Sequence, residues 1–236
     1  MNMDTDDKRI RDAVRHTEIL RPPKQSLATF GTTNIYYYLV TKPAYAELVK
    51  NITETVVREG RVIAERPRVV TPYYLSRLEG FSLEARRYFE MLMRKQGPNI
   101  AGLFYSYRNE PKGLNIVSDN FRSVVEKLNA EIDEHGDPLT SIIKGEDELW
   151  DVSLIKFIYE ITGSSIQNNL MQMGAKGLLN IDNSGVPVDA RVRIEELFRK
   201  VSLGKIEPRE LKDELDRRDL FEDYEDRFLT LFKKKR

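Results

Sequence analysis

Five arginines, Arg58, Arg61, Arg66, Arg68 and Arg77, are concentrated in residues 58–77 together with Tyr73 and Tyr74, and Tyr36, Tyr37, Tyr38, Tyr105 and Tyr107 flank them. Guanidinium groups pair with phosphates and tyrosine rings stack on bases, so this mixture has the chemistry of a single-stranded nucleic-acid contact. The same residues serve equally well in a plain sheet, because tyrosine favours strands and arginine solvates their outer faces. In the YYY of residues 36–38 alternate rings leave opposite faces, so at most part of the group shares one surface.

Carboxylates gather in EIDEHGD (131–137) and GEDELWD (145–151). Glu131, Asp133, His135 and Asp137 are types that ligate metals, but at the end of a helix their directions diverge, and a solvated helix terminus is the expected reading. The chain has no cysteine and only His16 and His135. That removes disulfides, thiol nucleophiles, cysteine-held zinc and iron-sulfur clusters, and leaves little for histidine-based acid-base chemistry. There is no phosphate loop, no GxGxxG, no HExxH and no GxSxG. Catalytic residues are therefore unassigned, and no metal or cofactor is expected. An enzyme with a carboxylate-based site stays open as an alternative, since carboxylate pairs assemble in space without a local motif.

The stretch QMGAKGLLNIDNSGVPVDA, residues 172–190, joins two amphipathic patterns through glycines, small polar residues and a proline. With Gly185 at the sixth place of a calcium loop, Asn180, Asp182 and Ser184 fall on ligand positions, but the twelfth place is Arg191, where the ion requires a glutamate. DNSG is therefore expected to be a turn whose side chains bond local backbone. A helix (149–161), a GSS turn, a second helix (166–174) and GLLNIDNSGVP together resemble the helix-turn-helix and wing of winged-helix domains, over residues 149–188. The resemblance implies a recognition helix. Charge points away from DNA, because residues 164–185 hold one cation, Lys176, and one anion, Asp182. A corner in a helical core, used for packing or protein contact, is the simpler expectation.

In LKDELDRRDLFEDYEDRFLTLFKKKR, residues 211–236, the apolar side chains Leu220, Phe221, Tyr224, Phe228 and Phe232 recur among charges of both signs. Such a helix packs on its own domain or docks in a partner's groove, and its aromatic load makes these five residues candidates for a partner contact.

The elements that must hold these groups follow from pattern. Residues 1–25, with RPP at 21–23, read as an extended arm. Residues 26–117 read as a mixed domain with antiparallel hairpins: a strand at 35–40, a hairpin turning at Glu59-Gly60, a helix over 82–95, and a second hairpin turning at 109–113. From residue 118 helical spacing takes over, with stripes at Phe121, Val124, Leu128 and Ile132, then a short helix from Asp137-Pro138, a long apolar helix over 146–162, and further stripes at Ala190, Ile194, Leu197 and at Leu211, Leu215. The fold class is α+β: a small antiparallel sheet with helices in the first half and an all-helical second half with a winged-helix-like core.

The 236 residues are 40% hydrophobic and 32% charged, enough apolar content for a core. No segment has the run of about 20 apolar residues of a membrane span or the look of a signal peptide, so a cytoplasmic, non-membrane protein is expected. Residues 1–100 carry 17 Lys+Arg against 12 Asp+Glu, and residues 101–236 carry 21 against 26, a separation far short of a dedicated nucleic-acid binder. The leading expectation is a non-catalytic binding or accessory protein acting through protein–protein contacts. The alternative is nucleic-acid binding through the Arg/Tyr face of the first half. Oligomeric state is not written in the sequence.

Overall fold

The computed structural model describes residues 3–47, 53–70, 102–218 and 220–233. It is a mixed α+β structure that divides into two compact units, residues 1–67 with 105–169, and 68–104 with 170–236, rather than at residue 118.

The first unit is built on a five-stranded sheet in the order β1-β7-β2-β3-β6, with β1 Glu18–Arg21, β2 Thr33–Thr41, β3 Thr55–Ala64, β6 Tyr107–Val117 and β7 Thr140–Lys144. β2 alternates as the sequence requires. Ile35, Tyr37 and Leu39 enter one core with Val62, Ala64 and Ile143, while Tyr38 and Val40 enter the opposite one with Val57 and Ile142. Each face is then covered by a helix: α3, Trp150–Ala175, brings Leu154, Phe157 and Ile161 to the first, and α2, Phe121–His135, brings Val124 and Ile132 to the second. Asn120 caps α2 by accepting from the Ser123 N–H, and Gly136 closes it at φ 69° with its N–H on the Ile132 carbonyl.

The sheet is mixed and not purely antiparallel, because β7 lies parallel to β2. β2–β3 and β3–β6 are antiparallel, so β6 and β7 run the same way, and β6–α2–β7 is a crossover with two strands between its ends. Residues 138–144 therefore do not begin a helix. SII at 141–143 is buried on both sides of the sheet and reads as a strand once it has neighbours.

Two further expectations change for a shared reason. Glu59-Gly60 and Asn109–Gly113 are not hairpin turns; each lies inside a long strand, and they face each other at one bulge, where Gly60 stands opposite Pro111 and Glu59 opposite Gly113. Proline is tolerated there because β6 is the last strand of the order and the bulge interrupts its ladder. Gly60 is needed for space: a β-carbon on it would lie 2.4 Å from the Tyr37 hydroxyl.

Residues 3–16, expected as part of an extended arm, form helix α1, Met3–His16, and β1 follows it into the sheet edge. Hydrogen bonds at Thr17 anchor it, one local and two to α3: the Thr17 hydroxyl meets the Ala13 carbonyl at 2.8 Å and the Ser153 hydroxyl at 2.7 Å, and Lys156 Nζ donates to the Thr17 carbonyl at 2.7 Å.

The second half is not all helical, since β7 belongs to the sheet and Ile181 and Pro187 form an isolated bridge. Nor does the GSS stretch turn: α3 runs through Gly163, Ser164 and Ser165 without a break. Ser164 and Ser165 satisfy their hydroxyls on the Ile161 carbonyl, 2.9 and 2.7 Å away. The helix-turn-helix of the winged-helix pattern is thus absent from residues 150–175.

The second unit contains the antiparallel pair β4 Arg68–Val70 and β5 Gly102–Phe104 and three helices, α4 Val188–Ser202, α5 Pro208–Arg217 and α6 Phe221–Lys233. Ala190, Ile194, Leu197, Leu211 and Leu215 meet in its core, as their helical spacing requires. The helix expected over 82–95 lies outside the described residues.

Candidate functional site

The Arg/Tyr candidates are dispersed. Arg58 lies beside Trp150, its guanidinium 5.8 Å from the ring centroid, and donates to Asp147 at 2.6 Å. Burial alone would raise the Asp147 carboxyl, but Arg58, the Ala44 N–H and Thr41 hold it below the usual carboxylate range. Arg61 is bonded through both Nε and Nη2 to Glu110, which Arg108 also approaches at 3.0 Å, and Glu110 is lowered first by the Arg61 hydrogen bond. Arg66 is half-buried in the first unit. Arg68 lies in the second, its guanidinium 5.3 Å from the Phe104 ring centroid. Tyr73, Tyr74 and Arg77 lie outside the described residues.

The flanking tyrosines are divided by the sheet as strand alternation requires. Tyr37, 1% exposed, donates to Asn109 at 3.0 Å. Tyr105 and Tyr107 pack on the same core and reach Asn169 at 2.7 Å and Thr162 at 2.5 Å; burial, and then the neighbouring Tyr107, push the Tyr105 hydroxyl up to about 12. Tyr36 and Tyr38 line a cleft of about 260 Å³ on the opposite face with Glu59, Glu131, His135 and Lys112. It is smaller than the about 300–1,000 Å³ of typical small-ligand sites, and the Lys112 ammonium already lies 4.8 Å from the Tyr36 ring centroid. Among the described residues no group of three or more His, Asp or Glu is arranged to hold a metal ion.

Asp182 settles the chemistry of the DNSG turn. Its Oδ1 accepts from the Ser184 and Val186 N–H groups, both at 2.9 Å, and its Oδ2 from Arg191 Nε at 2.8 Å. The side chain at the twelfth place of the calcium reading is thus the cation that neutralises the loop, and the turn bonds its own backbone as expected.

Of the five partner-contact candidates, Leu220 and Phe228 are buried and Phe221 and Tyr224 half-buried in the core of the second unit; Phe232 alone is exposed, at 53%. The periodicity of the first four packs the domain, and Phe232 is left outside that core. A different set is exposed, made of apolar residues that fall off the buried stripes: Leu203 at 62%, Leu229 at 47% and Val192 at 38%.

Leu203, Phe232 and Val192 line an open groove of about 1440 Å³ between α4 and α6, whose floor includes Phe198, Val201 and Leu231. The Arg227 guanidinium lies 4.1 Å from the Phe198 ring centroid and binds both oxygens of Glu195, fixing the spacing of the two helices. The loop after α4 adds Ile206, with Leu203 donating its N–H to the Arg199 carbonyl at 3.1 Å. The sequence signal for this surface is Leu203, an apolar residue directly after the last turn of α4, outside its buried stripe. Apolar residues are also exposed on α3, at Ile155 and Tyr159.

Among the described residues no helix is long and apolar enough to cross a membrane. Comparison with protein-family models, curated proteins and solved structures finds no match for this chain.

Proposed function

We propose that this chain is a non-catalytic binding protein that acts through protein–protein contacts, and that the α4–α6 groove is its contact surface. The observation that carries the reading is the groove itself: apolar side chains from two helices and a loop line a volume above the range of small-ligand sites, with paired charges at the rim, which suits the side chains of a helix. The partner class we propose is another protein, and the compartment we propose is the cytoplasm.

Nucleic-acid binding through the arginines has less support, because Arg58 and Arg61 are neutralised by Asp147 and Glu110 and the tyrosines are divided between two faces. A carboxylate enzyme also has less support: Glu110, Asp147 and Asp182 are all shifted down, whereas a general acid requires an upward shift.

The test is affinity enrichment from cells with the full chain and with Leu203→Asp, a substitution at an exposed position. The reading expects at least one protein held by the native chain and lost from the variant. Identical captures from the two would sink it.

A further inference from the structure

In the first unit, the cleft beside Tyr36 and Tyr38 sets three carboxylates against one ammonium. Alternation along β2 sends both rings to the face that α2 covers; Glu59 comes from the neighbouring β3, Glu131 and His135 from the end of α2, and Asp137 from just beyond it. Glu59 and Glu131 make no ion pair among the described residues. The Glu59 carboxylate lies over Gly113, its Oε1 2.9 Å from where a β-carbon would stand. Burial first, and then Glu131 and Glu59, hold the Tyr38 hydroxyl above the ordinary tyrosine value, which agrees with both carboxylates lying near it. Asp137 accepts the Leu139 N–H at 2.9 Å, and His135 donates from Nδ1 to the Glu131 carbonyl at 2.8 Å.

Among the described lining residues Lys112 is the one Lys or Arg. Its side chain is exposed, its ammonium rests 4.8 Å from the Tyr36 ring centroid, and it makes no ion pair among the described residues. Arg61, the next cation along the face, is held by Glu110. Lys112 therefore shows what these rings accept: an aromatic face attracts an organic cation, and unpaired carboxylates beside it add charge. At about 260 Å³ the space suits one unbranched side chain.

We infer that this cleft is a site for an organic ammonium group, either a lysine side chain of another polypeptide or a free aliphatic amine. The cation lies on the Tyr36 and Tyr38 rings against Glu59 and Glu131, and displaces Lys112. Release of Lys112 costs little, since its ammonium returns to water and leaves no carboxylate unpaired that was paired before. The site belongs to the first unit and stands whether or not the α4–α6 groove binds a protein.

The experiment is a two-dimensional NMR titration of the full chain with three probes: cadaverine, a terminally blocked pentapeptide with one lysine among glycines, and the same peptide with that lysine acetylated. Concentrations from about 0.1 to about 20 mM bracket millimolar dissociation constants. Saturable shifts confined to the amides around Tyr36, Tyr38, Gly60 and Thr140 are expected, with none from the acetylated peptide. Glu59→Gln should weaken binding about threefold or more, and Lys112→Met, by removing the competing ammonium, should strengthen it about twofold or more. Should Glu59→Gln melt below the native chain, Glu131→Gln, at an exposed position, takes its place. Binding of the lysine peptide assigns a polypeptide side chain, and binding of cadaverine alone assigns a free amine. No saturable shift in either the native chain or Lys112→Met, shifts scattered over the acidic surface, or binding indifferent to both substitutions overturns the inference.

Discussion

Gly60 has room for a hydrogen and no more, because the Tyr37 ring crosses it with the hydroxyl 2.4 Å and Cζ 2.6 Å from where a β-carbon would lie. Gly60→Ala is expected to destabilise the first unit by about 1–3 kcal/mol, the usual cost of overpacking, and Tyr37→Leu/Gly60→Ala to lose less than the sum of its single variants; urea unfolding of the four proteins checks this. Arg58 and Asp147 make a second expectation. The Asp147 carboxyl is held below its ordinary value, so the pair's contribution is complete above the unfolded carboxylate pKa and is lost as pH falls through the lowered folded value. Asp147→Asn should therefore cost about 1–3 kcal/mol near neutrality, as breaking a charged hydrogen bond does. The gap from the native chain should close below about pH 4. A gap unchanged at pH 3 would contradict the assignment. Neither pairing was legible in the sequence, because Arg58 and Asp147 are far apart along the chain and their meeting depends on the sheet. Tyr36, Tyr37 and Tyr38 were legible in direction, since alternation alone sends the middle ring to the other face.

At the scale of elements, the stripes that follow one period were readable: Phe121 to Ile132, Ala190 to Leu197 and Leu211 to Leu215 all became buried helix faces. Misreading came where polar residues sit on a buried face or turn residues sit inside a strand. In the first unit α3 buries Ser153, Phe157, Ile161, Ser165 and Asn169 at intervals of four, and the polar members are satisfied from outside the helix: Leu27 N–H donates to Ser165, and Asn169 donates to the Leu27 carbonyl and Thr29. Ser165 looks like a turn only while those partners are unknown. Gly163 separates the two accounts, since nothing lies within 4 Å of its would-be β-carbon and its φ is not positive. Gly163→Ala should stabilise the chain by about 0.5–1 kcal/mol as in any helix interior; destabilisation in a thermal melt would restore the turn. Gly60 and Pro111 misled in the same way, as both are turn residues that a bulge also uses.

For the whole molecule, the charge asymmetry and the aromatic helix were legible in the sequence, but of the five contact candidates on that helix four are taken by the core of the second unit, because the residues with the strongest periodicity are those the core takes. What was left exposed, Leu203, Leu229 and Phe232, is where binding is expected. Oligonucleotide titrations at two salt concentrations, with Arg61→Ala/Arg68→Ala as control, should accordingly show no steeply salt-dependent binding that the double variant removes; such binding would shift the function to the first unit. The most direct test of the groove is a photo-crosslinking residue placed at Leu203 in cells, with Ile116 on the edge strand as comparison. The account expects an adduct of defined mass, one other protein or a second copy of the chain, from position 203 and none of that mass from position 116. No adduct at 203, in cells where the chain is folded and abundant, would contradict it.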